Sequence, residues 1–518
     1  MMWFYCWFVL LFLVHVTAQT FPFVISYEPS NVGVKEDDDL RSGGDHNNPG
    51  FQLRISQNGL DYINRVTGDI LNAEIRQAKV PDVSKSFNGG HIAASNIRIL
   101  SFGAPTYTYE LIRPNRLAWK LEKGSIAMEG QWKGSYNLFV TTLRPSGTCT
   151  ASAHSVSMQV SAAMQKDSEG KPIFRRVVCT AGMTLNLDIK GGGAVGWLLR
   201  LFRGWIAGML RPVLEREVCR LTKQLVSRDI NAKLEGLKGS FLLLNKTFRA
   251  DYRLIRDPIV GSNYVETWNK GEITHVFGGV TPFQPHRLVL PGLLPRMIYL
   301  LASDYVFNSW LDHAHRQNAL QFEVNEALFK DAVPYLDLEC EGSRVYCLGK
   351  LFRDIPSRYR TGRGVAKFST VADPVVVFKR DSARILAKGL AEIYIKTAEE
   401  TIRLINASLD GDARFEPSVV DSTSEKAAKL AGKITIDHLK VVSINGHFVD
   451  NELAQKFVDI LKKLIEKRAN RVLTRGVLPL ILTKGAAIKN PQIAVLPRTI
   501  ALGGDLLYDP TIEELILS

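Results

Sequence analysis

Gly191, Gly193 and Gly196 stand in the G-x-G-x-x-G spacing between a strand-like and a helix-like stretch, an arrangement that could cradle a dinucleotide pyrophosphate. The flanks argue against it. The preceding TLNLDIK alternates like a half-exposed antiparallel strand, whereas the fingerprint needs a buried parallel one, and the following residues stay helical instead of completing a βαβ unit. The glycines therefore read as a tight strand-to-helix turn. His313 and His315 lie two apart on a helical pattern and point to different faces, which argues against joint metal ligation. No H-E-x-x-H, P-loop or G-x-S-x-G occurs, and the missing nucleophile elbow disfavours a lipase. The chain reads as a non-enzyme without cofactor or metal.

The residues left to act on a ligand are apolar. In VGWLLRLFRGWIAGMLRPVL (195–214), Leu198, Leu201, Phe202, Trp205, Ile206, Met209 and Val213 fall within an arc of roughly 140° at about 100° per residue, with Arg200, Arg203 and Arg211 opposite. A transmembrane span is excluded by cost, since each arginine at bilayer depth is penalised by about 2.5–3.5 kcal/mol. Two readings fit the stripe: a core helix lying on a curved antiparallel sheet, or a helix closing a barrel whose interior holds a lipid.

The surrounding elements must position that stripe. A helix is predicted from about Asn58 to Lys79, with Leu60, Ile63, Val66, Ile70, Leu71 and Ile75 at helical spacing and Pro81 ending it. Residues 90–190 alternate apolar with polar between Gly, Pro and Asn turns, the pattern of long antiparallel strands with one wet face. The amphipathic helix runs from Val195 to about Leu237, and TPFQPHRLVLPGLLP supplies four linker prolines, Pro282, Pro285, Pro291 and Pro295. The second half repeats the order: a short helix from Ser303, strands to about residue 445, a long helix from Asp450 to Leu473, and a strand pair ending at Tyr508. This is a duplicated architecture.

At 518 residues, 46% hydrophobic and 23% charged, the chain is a folded protein of more than one core. MMWFYCWFVLLFLVHVTAQT reads as a signal peptide cleaved after Ala18 (residues 1–18), a retained anchor being the other reading of a start without a basic flank. A polar leader, 19–47, is expected to be loose; folded segments follow at 48–280 and 296–518, joined by a proline-rich linker, 281–295. Export makes disulfides the default for Cys149, Cys179, Cys219, Cys340 and Cys347, an odd number that leaves one thiol over. The sequons at Asn245 and Asn406 fit glycosylation on the same route. The net charge is +13, and seventeen basic residues face six acidic ones between Lys171 and Arg256. That stretch is either a solvated face or a surface for polyanions, which for an exported chain means anionic lipid head groups or glycans and not nucleic acid.

NPGFQLRISQNGLDYI (48–63), KVPDVSKSF (79–87), VGWLLRLF (195–202), MIYLLASDYVFNSW (297–310) and GGDLLY (503–508) occur in an order that resembles the family of bactericidal/permeability-increasing protein, lipopolysaccharide-binding protein, phospholipid transfer protein and cholesteryl ester transfer protein. The resemblance spans about residues 48–508 and implies an α+β fold. In it, two similar elongated barrels, each a highly twisted antiparallel sheet wrapped on a long helix, are joined by a central sheet into a boomerang. It also implies an apolar pocket for phospholipid acyl chains in each half, which favours the lipid-closing reading of the helix at 195–214. The helix faces then suggest Ile63, Val66, Ile70, Trp197, Leu198, Leu201, Phe202, Trp205 and Met209 as lining of the first pocket. Tyr305, Phe307, Trp310, Phe457, Ile460 and Leu464 are the matching choices for the second. The family's disulfide falls on Cys179 and Cys219, leaving Cys340 and Cys347 for a local bridge and Cys149 free. Antibacterial members carry a dense basic cluster at the far tip of the first barrel. Here the matching hairpin, MEGQWKGSYNLF, offers only Lys133, with Lys85 in the neighbouring loop, so lipopolysaccharide or an anionic membrane would meet a sparse anion site.

Overall fold

The computed structural model describes residues 34–77, 82–138, 141–191, 203–237, 239–243, 246–290, 292, 295–324, 333–339, 347–351, 359, 361–420, 428–446, 451–476, 478–483 and 485–511. They form two compact units. An N-terminal unit takes Ile55–Lys238 and Arg256–Thr267; a C-terminal unit takes the chain up to Arg54, Gly239–Ile255 and everything from Trp268. Residues 239–255 and 268–280, expected to stay with the first barrel, thus cluster with the second half.

The chain enters through helix α1 (Val34–Ser42), strand β1 (Phe51–Ser56) and helix α2 (Gln57–Gln77). Part of the expected loose leader is therefore helical. Leu40 is fully buried with Phe283, Tyr305, Val375 and Val377, and Arg41 pairs with Asp373 at 3.0 Å while lying over the Phe283 ring. Asp39 pairs with Arg498. One apolar anchor and two ion pairs offset the ordering entropy that the segment's polar composition alone would not.

The N-terminal unit is a strongly bent antiparallel sheet. Its strands are β2 (Val83–Phe87), β3 (Gly90–Gly103), β4 (Thr106–Ile112), β5 (Arg116–Leu138), β6 (Thr141–Leu143), β7 (Ser146–Lys166) and β8 (Pro172–Gly191), in the order β2-β3-β5-β7-β8 with β4 and β6 on β5. Register shifts bend the long strands. Lys123 (φ 61°) and Ser155 (φ 52°) adopt left-handed backbone where the β5/β7 and β7/β8 ladders slip, which is how an extra residue adds local twist. Helix α3 (Arg203–Gln224) lies on β8, and a π-turn segment (225–230) carries it into α4 (Asn231–Glu235).

The rest of the chain builds the C-terminal unit, apart from residues 256–267, which hold β11 (Ile259–Val260) and the first four residues of β12 (Tyr264–Asn269). Three strands, β9 (Ser240–Leu243), β10 (Phe248–Asp251) and β13 (Glu272–His275), form a small sheet in the order β13-β10-β9. Strand β14 (Ile298–Ser303) leads into helix α5 (Tyr305–Arg316). After β15 (Gln321–Val324) and the short α6 (Leu348–Leu351) comes the second bent sheet, from β16 (Arg363–Thr370), β17 (Val375–Phe378), β18 (Ala383–Lys396), β19 (Thr401–Val420) and β20 (Lys429–Gly446). Helix α7 (Asn451–Leu473) packs on β20, and the chain closes with β21 (Leu478–Pro479), β22 (Ile481–Thr483), β23 (Ala486–Leu496) and β24 (Thr499–Tyr508), β24 pairing with β14. The order helix, strands, long helix thus occurs twice, as the periodicities predicted. None of the described helices is long and apolar enough to cross a membrane.

Candidate apolar ligand site

Strand alternation and helix periodicity converge on one hollow in the C-terminal unit. Ala366 and Phe368 of β16, Ala391 and Ile393 of β18, and Ile405, Ala407 and Leu409 of β19 are i, i+2 neighbours and so share one face of their strands. Val441 and Ile444 come from β20, while Ala454, Val458 and Leu461 of α7, at i, i+4 and i+7, look onto them. Together they line a cleft of about 430 Å³, its open mouth included, without a polar side chain. Four alanines on four elements make the space, because each stops at Cβ where a leucine would fill it. No acid, base or nucleophile reaches the lining, so the cleft offers apolar contact and no bond chemistry.

The sequence-predicted residues of this half divide. Leu464 packs on the cluster around Leu461, and Ile460 is half-buried beside it, so the helix was right and its inward line lies about one residue away. The Phe457 side chain lies outside the described residues. Tyr305, Phe307 and Trp310 are elsewhere, in solid packing. Tyr305 belongs to the Leu40 cluster, while Phe307 and Trp310 join Phe248, Phe378 and Leu311 in the largest core. Helix α5 is buried from Tyr305 to Ala314, and its central polar groups find partners: Asn308 exchanges hydrogen bonds with the Val376 backbone at 2.7 and 2.8 Å, and Ser309 Oγ accepts from Ile273 N–H.

In the N-terminal unit, α2 meets the sheet along Leu60, Asn64, Gly68 and Asn72. Asn64 Nδ2 donates to Tyr107 O at 2.9 Å, Trp119 Nε1–H donates to Asn64 Oδ1 at 2.6 Å, and Tyr107 O–H donates to Asn72 Oδ1 at 2.8 Å. A side chain at position 68 would strike the Tyr107 ring. This polar seam leaves the flanking apolar stripe uncovered, with Ile63 38% and Ile70 43% exposed and Val66 half-buried. Opposite, Ala207 and Leu214 of α3 pack on Ala153, Ile126, Leu185 and Met183. Trp197, Leu198, Leu201 and Phe202 lie outside the described residues, as do the side chains of Trp205 and Met209 within α3. The Cys179–Cys219 disulfide, with Cα atoms 5.5 Å apart, ties β8 to α3; Cys347 is also disulfide-bonded, Cys340 lies outside the described residues, and Cys149 is free. Burial among Trp132, Leu187 and Ile189 pushes the Cys149 thiol up, helped by the nearby Glu129 charge, so it is a poor nucleophile.

Lys133 is exposed on β5, and the register sets Lys85 in the row of Ile92 and Gly134, next to the row of Lys133 and Ala93. The Lys85 side chain and Asn245 lie outside the described residues. Asn406 on β19 sits between Glu392 and Asn445 and alternates with the cleft-lining Ile405 and Ala407, which puts it on the other face of the sheet. Along the basic stretch, Arg203, Arg211, Arg216, Arg220 and Lys223 are exposed on α3, with Arg220 held by Glu217 at 2.6 Å and Arg211 3.7 Å from Glu215. The lining alanines were not anticipated; their signal was an alanine at alternate apolar positions of each strand.

Comparison with known proteins agrees with this architecture. The chain is 22% identical to bactericidal permeability-increasing protein of Sebastes schlegelii over 89% of its own length and 96% of that protein. It is 25% identical to human lipopolysaccharide-binding protein over 54% of this chain and 58% of that one, and 22% identical to cholesteryl ester transfer protein of Cricetulus griseus over the same shares. A crystal structure of lipopolysaccharide binding protein superposes with a TM-score of 0.52 at 20% identity, covering 89% of this chain and 99% of that one, which shows the shared fold. Residues 59–229 match the N-terminal domain and residues 243–508 the C-terminal domain of the LBP / BPI / CETP family, and with both domains in order along one chain, this protein belongs to that family.

Proposed function

We propose that this is a secreted lipid-binding protein that shelters the acyl chains of phospholipid or a related amphiphile in an apolar site in each unit. Lipid transfer and recognition of lipopolysaccharide are the functions its relatives' names point to. The observation that carries the reading is the cleft beneath α7, apolar throughout, with alanines from four elements among its lining. The open stripe of Ile63 and Ile70 on α2 supports the same reading for the first unit.

Removing acyl chains from water is worth about 0.8 kcal/mol per methylene, or roughly 20 kcal/mol for two ordinary chains. Against a membrane the exchange is nearly balanced, because the chains leave one apolar medium for another. The protein can therefore load and unload lipid without making or breaking a bond, and no step needs a catalytic group. The test is native mass spectrometry of the secreted protein followed by organic extraction. Adducts in the mass range of phospholipid, recovered in the extract and resistant to high salt, are expected. A chain that carries no lipid after gentle purification, or whose only ligand is a polyanion released by salt, overturns the reading.

A further inference from the structure

The loop after β13 presents the most exposed large apolar side chains among the described residues: Phe277 is 92% and Val280 79% exposed. The loop is not slack. Val276 N–H donates to Thr247 O at 3.0 Å, Gly278 N–H to His275 O at 2.9 Å, and Arg316 donates to Val280 O at 3.1 Å. The rings of His275 and Phe277 meet at 5.2 Å. Gly278 (φ 89°) and Gly279 (φ 131°) supply backbone that other residues rarely adopt, and a Cβ on Gly279 would stand 2.7 Å from the buried His313 ring. A fixed turn therefore holds an aromatic and a branched aliphatic side chain out in water.

The surroundings are cationic. The sequence has no Asp or Glu between Glu235 and Asp251, nor between Glu272 and Asp304. The β10/β13 register runs from Asp251↔Glu272 to Phe248↔His275, so the bonded Thr247 and Val276 bring exposed Lys246 beside Phe277. Exposed Arg249 lies opposite Thr274 on β13 and opposite Leu242 on β9, itself 47% exposed. Apolar tips beside exposed cations match the boundary of an anionic bilayer, where aromatic side chains settle at head-group level and lysine and arginine meet lipid phosphates or carboxylates.

We propose that the Phe277–Val280 loop, with Lys246 and Arg249, is the surface by which this protein seats on an anionic lipid layer. The proposal rests on the lipid-binding reading, since a carrier must touch the layer it loads from. The test is flotation of the full chain with vesicles of phosphatidylcholine, with and without phosphatidylserine, while lipid extracted per chain is measured separately. Phe277→Asp with Val280→Asp is expected to weaken vesicle partition by about tenfold or more, leaving the melting temperature and the uptake of lipid supplied in detergent solution unchanged. Phe277→Trp should retain binding, and Lys246→Glu with Arg249→Glu should lose only the phosphatidylserine-dependent part. Phe277→Ser serves if the double variant is not secreted, and enzymatic deglycosylation prevents a sugar at the neighbouring Asn245 sequon from masking the loop. Unchanged partition of the Asp variant overturns the proposal, as does a wild-type chain that carries extractable lipid but never floats. Loss of self-association in place of vesicle binding, seen by sedimentation, assigns the surface to a second copy and also overturns it. A chain without extractable lipid whose flotation still depends on Phe277 sinks the pocket reading and sustains the surface.

Discussion

Replacing Cys179 and Cys219 by serine should loosen the N-terminal unit alone. The bond closes a loop of 40 residues, and loop-closure entropy sets its contribution at about 4 kcal/mol. Few polar contacts back it up near Cys219 among the described residues. Cys179 pairs with Val160 across the ladder, and near Cys219 the helix is held to the sheet by a hydrogen bond from Met183 N–H to Glu215 at 3.1 Å and a weak one from Thr222 to the Met158 sulfur. For a unit of this size, 1 kcal/mol moves the melting temperature by roughly 2–4 °C, so a fall on the order of 10 °C is expected in one transition only. Differential scanning calorimetry would follow both units, and limited proteolysis would show which one opens. Lipid held under α3 should be lost with it, while the cleft under α7 stays loaded. If the N-terminal transition moves by less than about 2 °C, or the C-terminal transition moves instead, the helix is held by packing and the clamp argument is wrong.

Three further outcomes test the placement of residues. Ala407→Phe should displace lipid from the C-terminal cleft, measured by extraction, with almost no loss of stability; a cost of about 1–3 kcal/mol would mean that the space was already filled. Trp310→Ala should cost about 3–5 kcal/mol in chemical denaturation yet leave lipid per folded chain unchanged, because Trp310 packs in solid core. Burial holds the pKa of His313 below its ordinary 6.5, with Arg316 and His275 adding to that and the Asp312 and Glu272 charges opposing it. The unfolded chain then binds more protons just below pH 6.5, so stability of the C-terminal unit should fall as pH drops through that range. In His313→Gln this acid-side slope should flatten, and an unchanged slope in a pH series of denaturation curves would remove His313 as its source.

Sequence reading worked where the signal lies within a few residues along the chain. Helix α2 ends within two residues of the predicted stop, and α7 spans the predicted range almost unchanged, because both are set by local apolar spacing and terminators. The β7 and β8 alternation was legible for the same reason. The Cys179–Cys219 pair could be named only through family resemblance, since the five cysteines beyond Cys6 allow many pairings.

The order of helices and strands, their duplication, the apolar faces and the basic stretch were determined by the sequence itself, through periodicities that span a few residues. Tertiary structure alone decided what each apolar face meets. Tyr305, Phe307 and Trp310 looked like pocket residues and became core, because α5 is surrounded on every side by partners distant in sequence. Ala366, Ala391, Ala407 and Ala454 looked unremarkable and define the cleft, because small side chains from four elements coincide there. Leu40 drew a polar leader into the fold by reaching Phe283 and Val377. An apolar side chain carries the same transfer free energy whether it faces a neighbour or a hollow, so only the assembled packing tells core from site.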